Sequence, residues 1–174
     1  MDKTVEKPIA PASGSSMRYQ DQIVRCTQKA LDDVCRAAIA VPKDKHGWHA
    51  MGSMRSVLDQ MQEIATTAPY FLPLIRSGVA PAFDEEATKK AVRERAQFNS
   101  VDLCVAEARR TVAELCQTLS EVPDHTLERE VIVPFGGDVT WTLADAMAGS
   151  YWNFVYHFGQ INQIQLMLGD KEMH

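Results

Sequence analysis

Residues 151–165 read YWNFVYHFGQINQIQ, and this stretch near the end of the printed sequence decides the fold. Its apolar residues recur at helical spacing, which predicts a long helix. Asn153, His157 and Gln160 stand at positions i, i+4 and i+7, so a helix stacks them along one side. Such a stack either builds a small polar or metal site inside a helical bundle or forms a hydrated helix edge.

The remaining sequence predicts three further long helices. Apolar residues keep a 3.6-residue period over 17–40, 53–77 and about 99–120, and the last helix runs from Thr142 to Leu168. Four long amphipathic helices predict an all-α protein, a four-helix bundle.

Shorter segments complete the predicted architecture. Residues 1–16 are polar and contain Pro, Gly and Ser, which predicts a disordered leader before one bundle domain at 17–170. The charged residues 84–98 predict a short exposed helix. Residues 127–141 alternate apolar and polar residues around a Gly-Gly pair, which predicts a small β-hairpin before the last helix.

The predicted helix boundaries depend on a few residue types. Residues that can cap a helix precede each long helix: Ser15 or Ser16, Ser53, Asn99 and Thr142, the last as a capping box with Asp145. Pro69 and Pro73 lie inside the second helix. Because proline lacks a backbone N–H, these two residues predict a kink or an early end of the regular helix.

Charge and hydropathy exclude two classes of partner. The 174 residues include 18 Lys and Arg against 23 Asp and Glu, a net charge of −5, without a basic run. A chain with this net charge has no general attraction to phosphate backbones, so the sequence predicts that nucleic acid is not a partner. No window approaches the roughly 18 apolar residues of a membrane span, which excludes a membrane partner. The four cysteines lack CxxC spacing and predict buried free thiols in a cytoplasmic protein.

Several residues outside the last helix are also candidates. Glu63 lies at the edge of the apolar stripe of the second helix, where it is either a solvated glutamate or a site residue. His46 and His49 flank Trp48 in a loop; the histidines could bind a metal or be incidental, and Trp48 is predicted to cover one end of the bundle. Aromatic residues on several sides of the last helix predict a homodimer contact or a covering loop.

Two motifs carry a family resemblance. Residues 56–65 (SVLDQMQEIA) and 153–161 (NFVYHFGQI) resemble the DinB/YfiT-like superfamily over about residues 17–170. The resemblance implies a four-helix bundle, often a dimer, that binds a divalent metal, commonly nickel or zinc. Its ligands are one histidine on the second helix and two on the last, spaced i and i+4. Some members are transferases or isomerases that use low-molecular-weight thiols.

When the three ligand positions of the family are matched to this sequence residue by residue, one of the three histidines is present. His157 matches the second histidine of the last helix, Asn153 replaces the first, and Glu63 replaces the histidine of the second helix. This predicts an altered metal site of Glu63, Asn153 and His157, with Gln160 and Trp48 in supporting positions. The three side chains should converge within about 3–5 Å, and burial of Glu63 should require either a bound cation or a strongly raised pKa.

Two functional hypotheses follow. The first is a divalent-metal-dependent hydrolase or thiol-dependent transferase with this altered site, in which the ion acts as a Lewis acid or generates hydroxide. The alternative is a metal-free, non-catalytic, dimeric module that binds a small molecule in a polar pocket.

Overall fold

The computed structural model describes residues 16–134, 137–172 and 174. Five α-helices follow one another in order: α1 (Tyr19–Ala40), α2 (Val57–Ser77), α3 (Glu85–Arg95), α4 (Val101–Glu121) and α5 (Leu143–Met167). The four long helices form a bundle, while α3 is the short exposed helix that the charged segment predicts. The predicted all-α four-helix bundle is confirmed. Apart from Ser16, the predicted leader lies outside the described residues.

The long helices pack in an order that differs from their order in sequence. Helix α1 packs on α4 and α5, and α2 packs on the same two helices. Contacts between α1 and α2 are few, so these two helices lie diagonally opposite each other. Helices α2 and α5 are therefore neighbours, and side chains from both can share one site.

A two-stranded antiparallel hairpin precedes α5, as predicted. Strand β1 (Glu130–Val133) pairs with β2 (Val139–Thr142), with Val131 opposite Trp141. Both strands contact α5. Gly137 has a φ of +120°, which suits a residue without a Cβ, while the other glycine of the predicted turn lies outside the described residues.

The predicted start of the second helix at Ser53 is wrong, because a stronger cap lies three residues later. The Ser56 hydroxyl accepts a 3.1 Å hydrogen bond from the Asp59 N–H, and the Asp59 carboxylate accepts one of 2.9 Å from the Ser56 N–H. This capping box satisfies two backbone donors at once, so α2 begins at Val57.

Other helix boundaries are corrected in the same way. Ser100 rather than Asn99 caps α4, and α1 begins after Arg18 without a side-chain cap. The Thr142–Asp145 capping box of α5 is confirmed. Helix α2 continues through both prolines to Ser77, since buried residues in this part of the helix stabilise it by packing against the bundle: Ala68, Phe71, Leu72, Leu74 and Ile75.

The core lies between the four long helices. Its fully buried residues on α2 and α5 include Val57, Met61, Ile64, Phe154 and Ile161. Leu58 and Phe158 are only partly buried and pack against the core from its edge. Trp152 and Tyr156 on α5 are 67% and 61% exposed, so in the single chain this helix keeps an aromatic outer face. None of the described helices has both the length and the apolar character of a membrane span.

Candidate functional site

Helices α2 and α5 bring the three predicted site residues together. Asn153 Nδ2 donates a 3.0 Å hydrogen bond to Glu63 Oε1, and His157 Nε2 lies 3.2 Å from the same oxygen. Asn153 and His157 are one turn apart on α5, while Glu63 is 90 residues before Asn153 on α2. The predicted convergence is therefore present, although no local sequence feature requires it.

Glu63 is a partly buried carboxylate surrounded by positive charge. Its side chain is 23% exposed, and its Oε2 lies 2.6 Å from Nη1 of Arg55 and 3.7 Å from Nη1 of Arg95. Burial raises the pKa of Glu63, but the neighbouring His157 and the Arg55 guanidinium outweigh it and hold the pKa well below its usual range. The predicted rise in the pKa of Glu63 is wrong, because His157 and Arg55 of this chain stabilise the charged carboxylate.

His157 is fully buried, and two glutamines fix its ring. The side-chain oxygens Oε1 of Gln60 and Gln160 both lie 3.2 Å from His157 Nδ1. An amide oxygen only accepts hydrogen bonds, so Nδ1 carries a proton. Nε2 is close to Glu63 Oε1 but makes no aligned hydrogen bond. Gln160 thus stands where an orienting role requires it, and Gln60 is a second orienting residue that the sequence analysis did not identify.

The Asn153 amide is anchored on both sides. Its Oδ1 accepts a 3.0 Å hydrogen bond from the Thr67 hydroxyl, which also lies 2.9 Å from the main-chain oxygen of Glu63. With Nδ2 directed to the Glu63 carboxylate, both ends of the amide have partners on α2. Asn153 therefore connects the two helices at the site.

A cleft of about 1390 Å³ opens between α2, α3, α5 and the hairpin. Glu63, Thr67, Arg95 and Asn153 supply polar groups to its wall, and His157 lies buried beside them. Much of the remaining wall is aromatic: Tyr70, Phe71, Phe83, Phe98, Trp141 and Trp152. The wall also includes the charged residues Lys90, Glu94, Glu107 and Asp145. A concave and largely apolar cleft with polar groups at fixed positions is the usual form of a small-molecule site.

The other sequence candidates lie elsewhere. Trp48 is half-buried against the core and is not among the residues that line the cleft. His46 Nε2 lies 2.9 Å from the Val41 main-chain oxygen, and His49 Nδ1 lies 2.9 Å from that of Met54. Both loop histidines thus stabilise the backbone of the segment before α2. This role favours the interpretation that their proximity in the loop is incidental over a metal site there.

The side chains at the site do not fit the three-ligand metal centre that the resemblance implies. Only Glu63 and His157 carry groups of the type that nickel or zinc prefers, since Asn153 offers a neutral amide. Arg55 and Arg95 already face the carboxylate. Within the described part of the chain, no group of three or more His, Cys, Asp or Glu could hold a metal ion. Metal binding by the three residues stays a prediction that this donor set does not favour.

Comparison with known proteins connects this geometry to solved structures. No family model and no curated protein matches the sequence. YfiT from Bacillus subtilis, described as a probable metal-dependent hydrolase with an unusual four-helix bundle topology, matches with a TM-score of 0.72 and 13% identity over 94% of this chain and 95% of YfiT. A DinB-like protein of Bacillus subtilis, YjoA, matches with a TM-score of 0.60 and 18% identity over 88% and 95% of the two chains.

A third match corrects the prediction about nucleic acid. The colibactin self-resistance protein ClbS, solved in complex with double-stranded DNA, has a TM-score of 0.62 and 13% identity over 89% of this chain and 98% of ClbS. The exclusion of nucleic acid was wrong, because a protein of this fold forms such a complex and a net charge does not determine the local surface.

The matches to YfiT and YjoA show that the chain has the four-helix bundle fold of YfiT and the DinB-like proteins, as the sequence resemblance predicted.

Proposed function

We propose that this protein is a hydrolase that acts on a small organic molecule bound in the cleft. One observation supports this most strongly: Glu63 and Asn153, from helices far apart in sequence, meet at the cleft wall with Arg95 beside them. The aromatic part of the cleft would hold the body of the substrate by apolar contact. The polar groups would then face the bond to be broken.

The charges at the site suggest a separate role in hydrolysis for each residue. Arg95 is 34% exposed and lines the cleft, so its guanidinium can stabilise negative charge that develops on a substrate oxygen. The lowered pKa of Glu63 makes it a weak base, and its role is to hold the attacking water together with Asn153. In an ester or amide substrate, the water oxygen bonds to the carbonyl carbon, the bond from that carbon to the leaving group breaks, and the leaving group takes the proton that the water loses. His157 positions Glu63.

One observation favours hydrolysis over transfer to a low-molecular-weight thiol, and a second argues against a nucleophilic cysteine of this chain. YfiT, which shares the fold, is described as a probable hydrolase. Among the described residues that line the cleft there is no cysteine, and burial raises the pKa of Cys35 and Cys116 to about 11 and of Cys104 to about 12. Their thiolates are scarce at neutral pH, so these thiols are poor nucleophiles.

Turnover of a panel of small esters, amides and lactones, measured with chelator present, tests the proposal. Arg95→Gln should lower kcat/KM by about 100-fold, on the scale of a lost oxyanion donor. The matched control is Arg93→Gln, two residues earlier on α3, where the arginine pairs with the exposed Glu86. If ligands quench the fluorescence of Trp141 and Trp152 but no compound is hydrolysed, the protein is instead the non-catalytic binding module.

Two further points are proposed with the function. The exposed Trp152 and Tyr156 on α5 favour a homodimer, which light scattering would test: one mass of 19.4 kDa at all concentrations would refute it. All four cysteines are free thiols, which favours a reducing compartment such as the cytoplasm.

A further inference from the structure

Arg55 is held in place at two points. It directly precedes Ser56, the N-cap of α2, and its Nη2 donates a 3.1 Å hydrogen bond to the main-chain oxygen of Asp59. Its Nη1 lies 2.6 Å from Oε2 of Glu63. The side chain therefore follows the first turns of α2, with its guanidinium fixed against the carboxylate.

Arg95 brings a second guanidinium to the same oxygen from α3. Its Nη1 lies 3.7 Å from Glu63 Oε2, and its Nε donates a 3.1 Å hydrogen bond to the Thr66 hydroxyl. Two cations from separate parts of the chain thus face one carboxylate oxygen. A single chance ion pair on the protein surface would not show this convergence.

The other carboxylate oxygen of Glu63 also faces side chains of this protein. Oε1 accepts the hydrogen bond from Asn153 and lies 3.2 Å from His157 Nε2. Four protein groups thus surround the carboxylate. A divalent ion that bound Glu63 from the cleft would lie beside guanidinium groups that repel it.

We infer that Arg55, with Arg95 beside it, is a built-in cation that takes the electrostatic place of a metal ion, so that the centre is complete without one. The two replacements in the three-histidine pattern, Glu63 and Asn153, then belong to one charge network. Glu63 supplies the anion that pairs with Arg55, and Asn153 supplies an N–H to that anion. Arg55 acts through Glu63 and is a positioning residue. Because the inference concerns charge balance, metal binding tests it independently of the proposed hydrolysis.

The experiment is calorimetric titration of the full chain, prepared without a histidine tag, with Ni²⁺ and with Zn²⁺. Four variants are compared with the wild type: Arg55→Gln, the double variant Glu63→His/Asn153→His, His157→Ala, and the control Arg76→Gln. Arg76 forms an exposed ion pair with Glu114 away from the site, so its loss removes the same charge without touching Glu63. Circular dichroism shows which variants keep the bundle.

The inference predicts that wild type and Arg76→Gln bind neither ion at a site that depends on His157. Arg55→Gln should gain measurable binding, at least about 10-fold tighter than the weakest affinity that the titration detects, the scale on which neighbouring groups tune metal sites. The double variant restores three imidazoles and should bind at least about 100-fold more tightly. Wild type that binds one ion per chain with micromolar affinity, lost in His157→Ala, would overturn the inference, whichever variants fold. An Arg55→Gln variant that folds and binds no better than Arg76→Gln would overturn it too.

Discussion

Replacing Glu63 with Gln removes one negative charge while keeping the size of the side chain. Arg55 would then face a neutral amide across a contact that is now 2.6 Å, and Arg95 and His157 would lose the same charge. A hydrogen bond to a charged group contributes about 1.5–3 kcal/mol, against about 0.5–1.5 kcal/mol for a neutral one. Solvent screens part of the difference, because the Arg55 and Glu63 side chains are 38% and 23% exposed.

The expected loss is therefore about 1–2 kcal/mol in the free energy of unfolding, or about 2–8 °C in Tm for a chain of this length. Urea unfolding followed by circular dichroism measures it. Glu114→Gln is the matched control, since it removes the same charge from the exposed pair with Arg76 and should cost about 0–1 kcal/mol.

The difference between wild type and Glu63→Gln should also depend on pH. The pKa of Glu63 is lowered in the folded state, so its contribution is fully present above the unfolded value of about 4.3 and is lost as pH falls toward the folded value. The two proteins should differ at pH 7 and approach each other at pH 3. A difference no larger than that of Glu114→Gln, or one unchanged at pH 3, would refute the assigned charge network.

Three further predictions use other parts of the structure. Gly149→Ala should destabilise the protein by about 1–3 kcal/mol in urea unfolding, because the added Cβ meets the Phe71 ring, whereas Gly159→Ala on the same helix has open space and should stabilise it by about 0.5–1 kcal/mol. Ser56→Ala should lower the free energy of unfolding by about 1 kcal/mol through loss of the α2 capping box, and an unchanged melting curve would contradict that role. Brief alkylation of the native protein at pH 8, read by mass spectrometry, should modify the half-buried Cys26 first; earlier modification of Cys104, whose pKa burial raises to about 12, would show that the helix opens.

The fold could be predicted from the sequence because its determinants are local and periodic. The α5 capping box of Thr142 and Asp145 and the alternation in the hairpin are read directly from neighbouring residues. The second helix shows the limit of such reading. Ser53 and Ser56 both have the chemistry of an N-cap, and only the reciprocal bonds with Asp59 decide between them.

The site could be predicted from the sequence only in part. Spacing on one helix places Asn153 and His157 together, and the family resemblance connects them with Glu63. Arg55 lies in the loop before α2 and Arg95 on a different helix, so no periodicity relates them to the carboxylate. Their approach depends on tertiary packing, and Arg55 together with His157 reverses the predicted direction of the Glu63 pKa shift.

Helix α3 forms one wall of the cleft, yet it buries none of its residues. The stability of the bundle resides in the core between the other helices, so detachment of α3 requires much less free energy than global unfolding. Backbone amides of α3 should exchange with deuterium long before those of α2 or α5, and a ligand that binds Arg95 should slow their exchange. Access to the cleft would then depend on the local opening of one surface helix, while the bundle stays folded.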